Sequence, residues 1–160
     1  MERKNGAEDK LELYRSLKTK LEMEEYLVES SNRLGTRWMT KLRGGSSELA
    51  IETGRYAGLP IHLRTCAFCI REVEDERHVM FECRLYAQER KIMQDRIVAM
   101  TKSKISFTRT KSNEDRMLKM LIGDGVVDAS SGSSIVIVVK QYLASAMRRR
   151  AKWMRLGRAV

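Results

Sequence analysis

Proline, histidine, cysteine and long apolar runs are all scarce in this sequence. Its 160 residues include 1 proline, 2 histidines and 3 cysteines. The longest apolar run, residues 135–139, stops at Lys140 and is far shorter than the roughly 18 residues that cross a bilayer. The N-terminus carries no hydrophobic signal segment, and so few cysteines do not make a disulfide framework. We therefore expect a nuclear or cytoplasmic protein that is not secreted and does not enter a membrane.

Signatures of catalysis are also missing. The sequence has no glycine-rich phosphate loop of the G-x-x-x-x-G-K-[ST] type, and segment 123–128 lacks the spacing of a calcium loop. With two histidines and no Ser-His-Asp arrangement, there is little scope for acid–base catalysis. The sequence thus predicts a chain that is not an enzyme and has no small-molecule substrate.

Basic residues are abundant, and they are unevenly distributed. The formal net charge is +10, with +4 over residues 31–65 and +5 over each of 91–119 and 120–160. The densest cluster is near the C-terminus and consists of Arg148, Arg149, Arg150, Lys152, Arg155 and Arg158. Such a cluster favours polyanionic partners, RNA or DNA among them, although cations also suit the C-terminal end of a solvated helix. Trp153, inside the cluster, suits either packing against the domain or stacking on a base.

The spacing of apolar residues predicts a mainly α-helical fold. We expect an N-terminal helical hairpin over residues 1–45. Its first helix would be amphipathic and run from residue 8 to about 29. Its second would be capped by Ser30 or Ser31 and stopped by a left-handed residue at Gly44-Gly45.

The rest of the chain divides into three predicted regions. Residues 46–100 would contain an irregular stretch, the cysteines, and a helix from about 85 to 100. Residues 101–134 are polar and glycine-rich, which is typical of a flexible basic linker, with a short helix capped by Asn113. Residues 135–160 predict a basic C-terminal helix, although the β-branched run at its start also suits a strand.

All of the cysteines and one histidine lie in one short segment, in the pattern C-x2-C-x8-H-x4-C. The candidate metal ligands are Cys66, Cys69, His78 and Cys83. Two cysteines separated by two residues can turn both sulfurs toward one point, which is the usual half-site of a zinc knuckle. A Cys3His set fills a tetrahedral zinc site and leaves no position for water. We therefore predict one structural zinc ion at the centre of a small helical domain.

The second pair of ligands imposes a condition on the backbone. His78 and Cys83 lie five residues apart, an offset of about 140° on a regular helix. The helix must therefore end or distort near Glu82 for both side chains to reach one metal. His62, four residues before Cys66, is an alternative ligand. The other interpretation is that the cysteines are buried free thiols and that the histidine is unrelated to them.

A further set of residues forms a pattern over about residues 9–95. Its members are Leu13-Tyr14-Arg15, Glu25-Tyr26-Leu27, Lys41-Leu42-Arg43-Gly44-Gly45, Ile51-Glu52-Thr53-Gly54-Arg55-Tyr56, Gly58-Leu59-Pro60, Arg64, Glu74-Asp75, Tyr86 and Arg90. Together with the metal spacing, this pattern resembles the zinc-binding region that follows the reverse transcriptase domain in non-LTR (LINE-like) retrotransposon polyproteins.

The resemblance implies a nucleic-acid module derived from a retroelement, with its zinc ligands at the four positions given above. It also implies a role in gripping template RNA or target DNA. The aromatic-Ala-Asp-Asp motif of the polymerase and any endonuclease signature are absent. From the charge pattern we expect phosphate contacts, with little base readout. The expected contact residues are Arg55, Arg64, Arg148, Arg149, Arg150 and Lys152.

Two alternatives accompany the nucleic-acid hypothesis. One is a small zinc-dependent domain that docks on another protein through the apolar run 135–139 and the acidic strip 72–76. The other is a retroelement fragment without a function of its own.

Overall fold

The chain folds into an all-helical bundle in the computed structural model. The structure describes residues 11–18, 21–29, 31–102, 105, 107, 111–123 and 129–156. The helices are α1 (Glu12–Leu17), α2 (Glu25–Val28), α3 (Arg33–Arg43), α4 (Ala50–Tyr56), α5 (Ala87–Met100), α6 (Lys111–Ile122) and α7 (Ala129–Leu156). The described residues contain no β-strand, only an isolated antiparallel bridge between Thr65 and Val73. The prediction of a mainly helical fold is confirmed.

Helix α7 is the centre of the bundle. It packs against α3 and α5, and also against α2 and α6. Its buried side chains recur every three or four residues, so that they form one continuous stripe. The apolar ones are Ile135, Val138, Val139, Tyr142, Leu143, Ala144, Ala146 and Met147. The β-branched run 135–139 is therefore helical, because burial in this stripe outweighs its intrinsic preference for a strand.

Helices α3 and α7 approach each other very closely at Gly35. A Cβ atom placed on Gly35 would lie 2.3 Å from the carbonyl oxygen of Lys140, so only glycine permits this contact. The Lys140 side chain is itself fully buried, and its ammonium group donates to the carboxylate of Glu29 at 2.9 Å and to the Glu29 carbonyl. The hydrogen bond from Ser31 and the one from Lys140 lower the pKa of Glu29 to about 2.

The N-terminal part differs from the predicted single helix over 8–29. Residues 1–10 and 19–20 lie outside the described residues, and α1 and α2 are separate short helices. Lys18 follows α1 in an extended conformation, and its ammonium group donates to the Glu22 carbonyl and pairs with Glu24. This bend buries Leu17 but leaves Leu21 fully exposed, although an unbroken amphipathic helix would place both on its apolar face.

The second predicted helix, α3, has a different cap from the expected one. Asn32, rather than Ser31, accepts a hydrogen bond from the backbone N–H of Gly35 at 2.9 Å, and Ser30 lies outside the described residues. The C-terminal end is as expected, since Gly45 adopts φ 55° directly after Gly44. The left-handed residue allows the Ser46 N–H to reach the Lys41 carbonyl at 3.0 Å and closes the helix end.

Helix α4 lies in a stretch that was expected to be irregular. The Glu74 carboxylate accepts from the N–H of Ala50 at 2.8 Å, and the Glu74 carbonyl accepts from the N–H of Ile51 at 3.0 Å. The first turn of α4 is thus capped by a residue 24 positions away. Local sequence could not reveal this helix, because its N-terminal partner comes from tertiary structure.

The C-terminal half contains more packed helix than the expected linker. Helix α6 begins at Lys111, before the predicted cap Asn113, and buries Met117, Leu118, Leu121 and Ile122. Helix α7 begins at Ala129 rather than near residue 134. The rest of the predicted linker, residues 103–104, 106, 108–110 and 124–128, lies outside the described residues. Buried side chains from all four predicted regions join one hydrophobic cluster.

Candidate metal centre

The first two cysteines lie on a tight hairpin. The bridge between Thr65 and Val73 closes it, with the Cys66 N–H donating to the Glu72 carbonyl at 2.7 Å. Ile70, directly after Cys69, adopts a left-handed conformation with φ 67°, which is rare for a β-branched residue. This turn folds the hairpin back on itself and leaves the side chains of Cys66 and Cys69 facing the same space.

The other two candidate ligands are brought together by a single π turn over His78–Glu82. Its hydrogen bond runs from the Cys83 N–H to the His78 carbonyl at 2.8 Å, an i to i+5 pairing. Such a turn aligns residues five apart, which a regular α-helix does not. The Asp75 carboxylate accepts from the N–H of His78 at 2.7 Å and caps the start of this turn. The expected distortion before Cys83 is therefore confirmed.

Cys66, Cys69, His78 and Cys83 meet in one cluster, which we call the Cys3His cluster. Their ligand atoms all lie within 4.8 Å of one another. The Cys83 sulfur is 3.9 Å from that of Cys66 and 3.8 Å from that of Cys69. All three cysteines are free thiols, and Cys66, His78 and Cys83 are buried. The cluster can hold a metal ion.

The His78 ring is oriented by a carboxylate outside the cluster. Its Nδ1 atom lies 3.4 Å from a carboxylate oxygen of Glu82. Its Nε2 atom is buried and has no nitrogen or oxygen hydrogen-bond partner among the described residues. A histidine that binds a metal through one nitrogen commonly has a carboxylate on the other. The orientation of His78 fits that arrangement, with Nε2 left for the metal.

The sulfurs interact strongly with one another. The hydrogen bond from the Cys83 thiol holds the pKa of Cys66 well below its usual range, and the same contact raises the pKa of Cys83. Burial lowers the pKa of His78, but contacts with Cys66 and Glu82 outweigh burial and raise it. Backbone N–H groups of Cys69 and Phe68 also donate to the Cys66 sulfur. This donor set stabilises negative charge on sulfur, as metal-binding thiolates require.

Comparison with known proteins identifies no relative. Neither protein-family models, nor curated proteins, nor solved structures match this chain. Among the described residues, no helix has the length and apolar character needed to cross a bilayer.

The C-terminal end of α7 docks beside the Cys3His cluster. Arg150 places two nitrogens on the buried carboxylate of Glu74, each at 3.0 Å. The rings of Phe68 and Trp153 make an edge contact with centroids 5.6 Å apart. Phe68 lies between the two hairpin cysteines, so these contacts join α7 to the ligand-bearing hairpin directly. Trp153 therefore packs against the domain, the first of its two expected roles.

Two of the predicted phosphate-binding residues are engaged within the fold around α4. Arg64 is 6% exposed, and its guanidinium donates to the carbonyls of Leu59 at 2.7 Å and Ile51 at 3.2 Å. This inward orientation does not fit a phosphate contact, and we leave Arg64 out of the contact set. Arg55 is partly buried and paired with Glu52.

The other predicted contacts lie on α7 and differ in availability. Arg148 and Lys152 are exposed, and their side chains have no hydrogen bond or ion pair with any residue that the structure describes. Arg149 is 44% exposed and pairs with Glu89 at its ε nitrogen. Arg150 forms an ion pair with Glu74, so it is also left out of the set of expected phosphate contacts. Among the predicted contacts on α7, Arg148, Arg149 and Lys152 thus remain exposed.

A groove of about 540 Å³ runs along the cluster and was not expected from sequence. Beside the ligands Cys69 and His78, its walls are formed by Phe68, Arg71, Glu72, Glu82 and Arg84. Two of these residues had a signal in the sequence: Glu82 lies where the helix must end or distort, and Glu72 belongs to the acidic strip 72–76. Arg71 and Glu72 reach the groove through the hairpin, and Arg84 reaches it because it follows the π turn.

Proposed function

We propose that this chain is a zinc-stabilised nucleic-acid-binding module, derived from a retrotransposon polyprotein, that is not catalytic on its own. The observation that carries the proposal is the docking of a cationic helix end against the Cys3His cluster, through Arg150 and Trp153. Charge on a flexible tail would give only diffuse attraction to a polyanion. Charge on a helix end that these contacts hold in place can bind a polyanion at fixed positions.

Zinc is the metal that best suits the donor set. Three thiolates and one imidazole in a tetrahedron are typical of structural zinc. With Zn–S bonds of about 2.3 Å, a regular tetrahedron has edges of about 3.8 Å. The two sulfur separations of 3.9 and 3.8 Å match this edge. When bound, zinc would hold the hairpin and the π turn together, and all four ligands would come from the protein, so the site would be structural.

The exposed cations support contacts to the phosphate backbone of RNA or DNA. Arg148 and Lys152 are four residues apart on α7 and therefore share a face. Arg149 adjoins them and remains partly exposed. A patch of this kind recognises phosphate without reading the sequence of bases. Nuclear or cytoplasmic localisation, where RNA and DNA are accessible, belongs to the same proposal.

The test is fluorescence anisotropy with the zinc-loaded chain. A structured RNA and a duplex DNA are titrated at several salt concentrations, with a chelated sample alongside. We expect binding that is lost on chelation and falls with salt along a log–log slope of about −4 or steeper. Absence of binding near physiological salt contradicts the proposal. Binding that persists after chelation would mean that the chain attracts nucleic acid only through a basic tail, which also contradicts the proposal.

A matched pair of double variants tests whether the exposed cations of α7 contact the nucleic acid. The test variant combines Arg148→Gln with Lys152→Gln, and the control combines Arg33→Gln with Lys119→Gln. Both remove one exposed arginine and one exposed lysine, but the control cations lie on α3 and α6. We expect the test variant to reduce the salt slope by about 2, since each lost phosphate contact removes about 1. Equal effects of both variants would mean that only net charge matters.

A protein-docking function is the second candidate, and the structure changes its location. Much of the apolar run 135–139 is buried in the core, and Glu74 in the acidic strip is bound to Arg150. One group of exposed apolar side chains lies on and after α4, at Tyr56, Leu59, Ile61 and Leu63. A contiguous apolar surface is typical of protein contacts. A stable dimer or complex, together with indifference to polyanions, would favour this candidate.

A further inference from the structure

The groove beside the Cys3His cluster has the size and the mixed chemistry of a ligand site. Its volume of about 540 Å³ falls within the range of about 300–1,000 Å³ that small-ligand pockets occupy. One wall is the hairpin that carries Phe68, Arg71 and Glu72, and the other is the segment from the π turn to Arg84. The bound metal would fix both walls, because each supplies two of its ligands.

Phe68 gives the groove a flat aromatic surface. The side chain is 38% exposed, and its edge contact with Trp153 holds the ring at one side of the groove. Aromatic rings at the side of an open groove are the usual stacking platform for unpaired bases. An isolated apolar ligand is less suitable, because the groove residues other than Phe68 and the ligands Cys69 and His78 are charged.

The charged groups of the groove are available to a ligand. Arg71, Glu72 and Arg84 are exposed, and the structure gives their side chains no hydrogen bond or ion pair with another described residue. The Glu82 carboxylate is different, since it faces His78 at 3.4 Å. The ligand therefore meets two free guanidinium groups and one free carboxylate. Guanidinium groups suit phosphate oxygens, whereas a carboxylate accepts hydrogen bonds only.

We propose that this groove binds an unpaired guanine of a single-stranded nucleic acid. The base would stack on Phe68 and donate its adjacent N1–H and N2–H groups to Glu72, while Arg71 and Arg84 hold the flanking phosphates. Guanine is the base that presents two neighbouring donors on its Watson–Crick edge. Adenine and cytosine place an acceptor beside their amino group, and uracil flanks one donor with carbonyl oxygens, so each would set an oxygen or nitrogen lone pair against the carboxylate. The inference rests on the proposed nucleic-acid function and adds a base preference to it.

The experiment uses the zinc-loaded chain and four labelled RNA dodecamers. One is oligouridine, and the others carry a single central guanosine, adenosine or cytidine. We expect the guanosine oligomer to bind about tenfold more tightly than the other three. Glu72→Gln should abolish this preference, so that the four oligomers bind with similar affinity. Arg71→Gln combined with Arg84→Gln should weaken binding of all four oligomers.

Glu22→Gln is the matched control, because Glu22 is an exposed carboxylate in the N-terminal part. It should retain the guanosine preference. Zinc content and circular dichroism of each variant confirm that the fold is intact. Equal affinity for the four oligomers, a preference for another base, or a guanosine preference that survives Glu72→Gln overturns the inference. If duplex DNA or structured RNA still binds in those cases, the proposed nucleic-acid function stands without the guanine preference. If no nucleic acid binds, both the proposed function and the guanine preference are wrong.

Discussion

Histidine occurs twice in the chain, and the two rings have opposite surroundings. His62 is exposed in the short turn Ile61–Leu63. His78 is 1% exposed, faces Glu82 and belongs to the Cys3His cluster. Sequence spacing left His62 as an alternative ligand, and the cluster that the structure brings together does not include it.

We therefore predict that His78→Ala abolishes stoichiometric zinc binding and that His62→Ala does not. Loss of one of four ligands opens the tetrahedral site, and the folding free energy that the metal supplies falls with it. Metal analysis of the purified variants, together with their thermal unfolding midpoints, measures both effects. Zinc retained at one equivalent in His78→Ala would contradict the assignment.

Adjacent arginines on α7 also differ sharply in role. Arg150 is bonded to Glu74, whose side chain is only 6% exposed. Arg148 is exposed and has no side-chain partner among the described residues. The sequence shows three identical neighbours, and only the direction in which each side chain leaves the helix separates them.

Arg150→Gln should destabilise the fold by about 2–4 kcal/mol, because it leaves the buried Glu74 carboxylate without its cation. Arg148→Gln should change stability by no more than about 0.5 kcal/mol. Urea denaturation followed by circular dichroism compares the two. If both variants unfold at the same urea concentration, the pairing with Glu74 does not stabilise the fold.

Gly54 and Arg64, two residues of the pattern on which the expected resemblance rests, have a structural role in the fold. A Cβ atom on Gly54 would lie 2.5 Å from the Cγ atom of Arg64. The glycine thus makes room for the arginine stem, and the guanidinium then bonds to the Leu59 and Ile51 carbonyls. This pair fastens α4 to the chain that leads into the hairpin.

Among the secondary-structure elements, the π turn was the most predictable and α4 the least. Five-residue spacing between two ligands requires a distortion, and His78–Glu82 supplies it. For α4 the local sequence offered Gly54 and a nearby proline, which argue against a helix. The Glu74 cap overrides these local preferences, and only the folded chain brings it to Ala50.

The close crossing of α3 and α7 can be tested by substituting Gly35. Gly35→Ala should destabilise the fold by about 1–3 kcal/mol, because its Cβ would push α3 away from the backbone at Lys140. Alanine favours an isolated helix by about 1 kcal/mol over glycine, so a net loss identifies the crossing as the cause.

Thr40→Ala, on an exposed position of the same helix, is the control. It should change stability by no more than about 0.5 kcal/mol. Chemical denaturation provides both free energies of unfolding. A stabilised Gly35→Ala variant would show that α3 and α7 do not touch in solution as described.

Across the whole molecule, the metal site and the core are connected through α7. Tyr142 is buried in the core, and its hydroxyl donates to the carbonyl of Val79 inside the π turn. Two turns further along α7, Arg150 reaches Glu74. One helix therefore joins the core to the cluster. Loss of the metal should loosen the C-terminal end of α7.

Hydrogen exchange with and without chelator tests this connection. On metal removal we expect amide exchange in residues 66–83 and 150–156 to rise by about tenfold or more, because the two segments hold each other in place. The middle of α7, around Leu143, should remain protected by the core. Unchanged exchange in 150–156 would show that the helix end docks independently of the metal.

The helical class, the ligand cluster and the need for a distorted turn between His78 and Cys83 could all be inferred from the sequence alone. These features follow from local periodicity and from the fixed spacing of chemically distinctive side chains. Tertiary structure decided which arginines are buried, where α4 begins and how the groove is lined. The reason is physical: the exposure of a long charged side chain depends on what packs against its helix. The partner of Arg150 lies 76 residues away, beyond the reach of any local pattern.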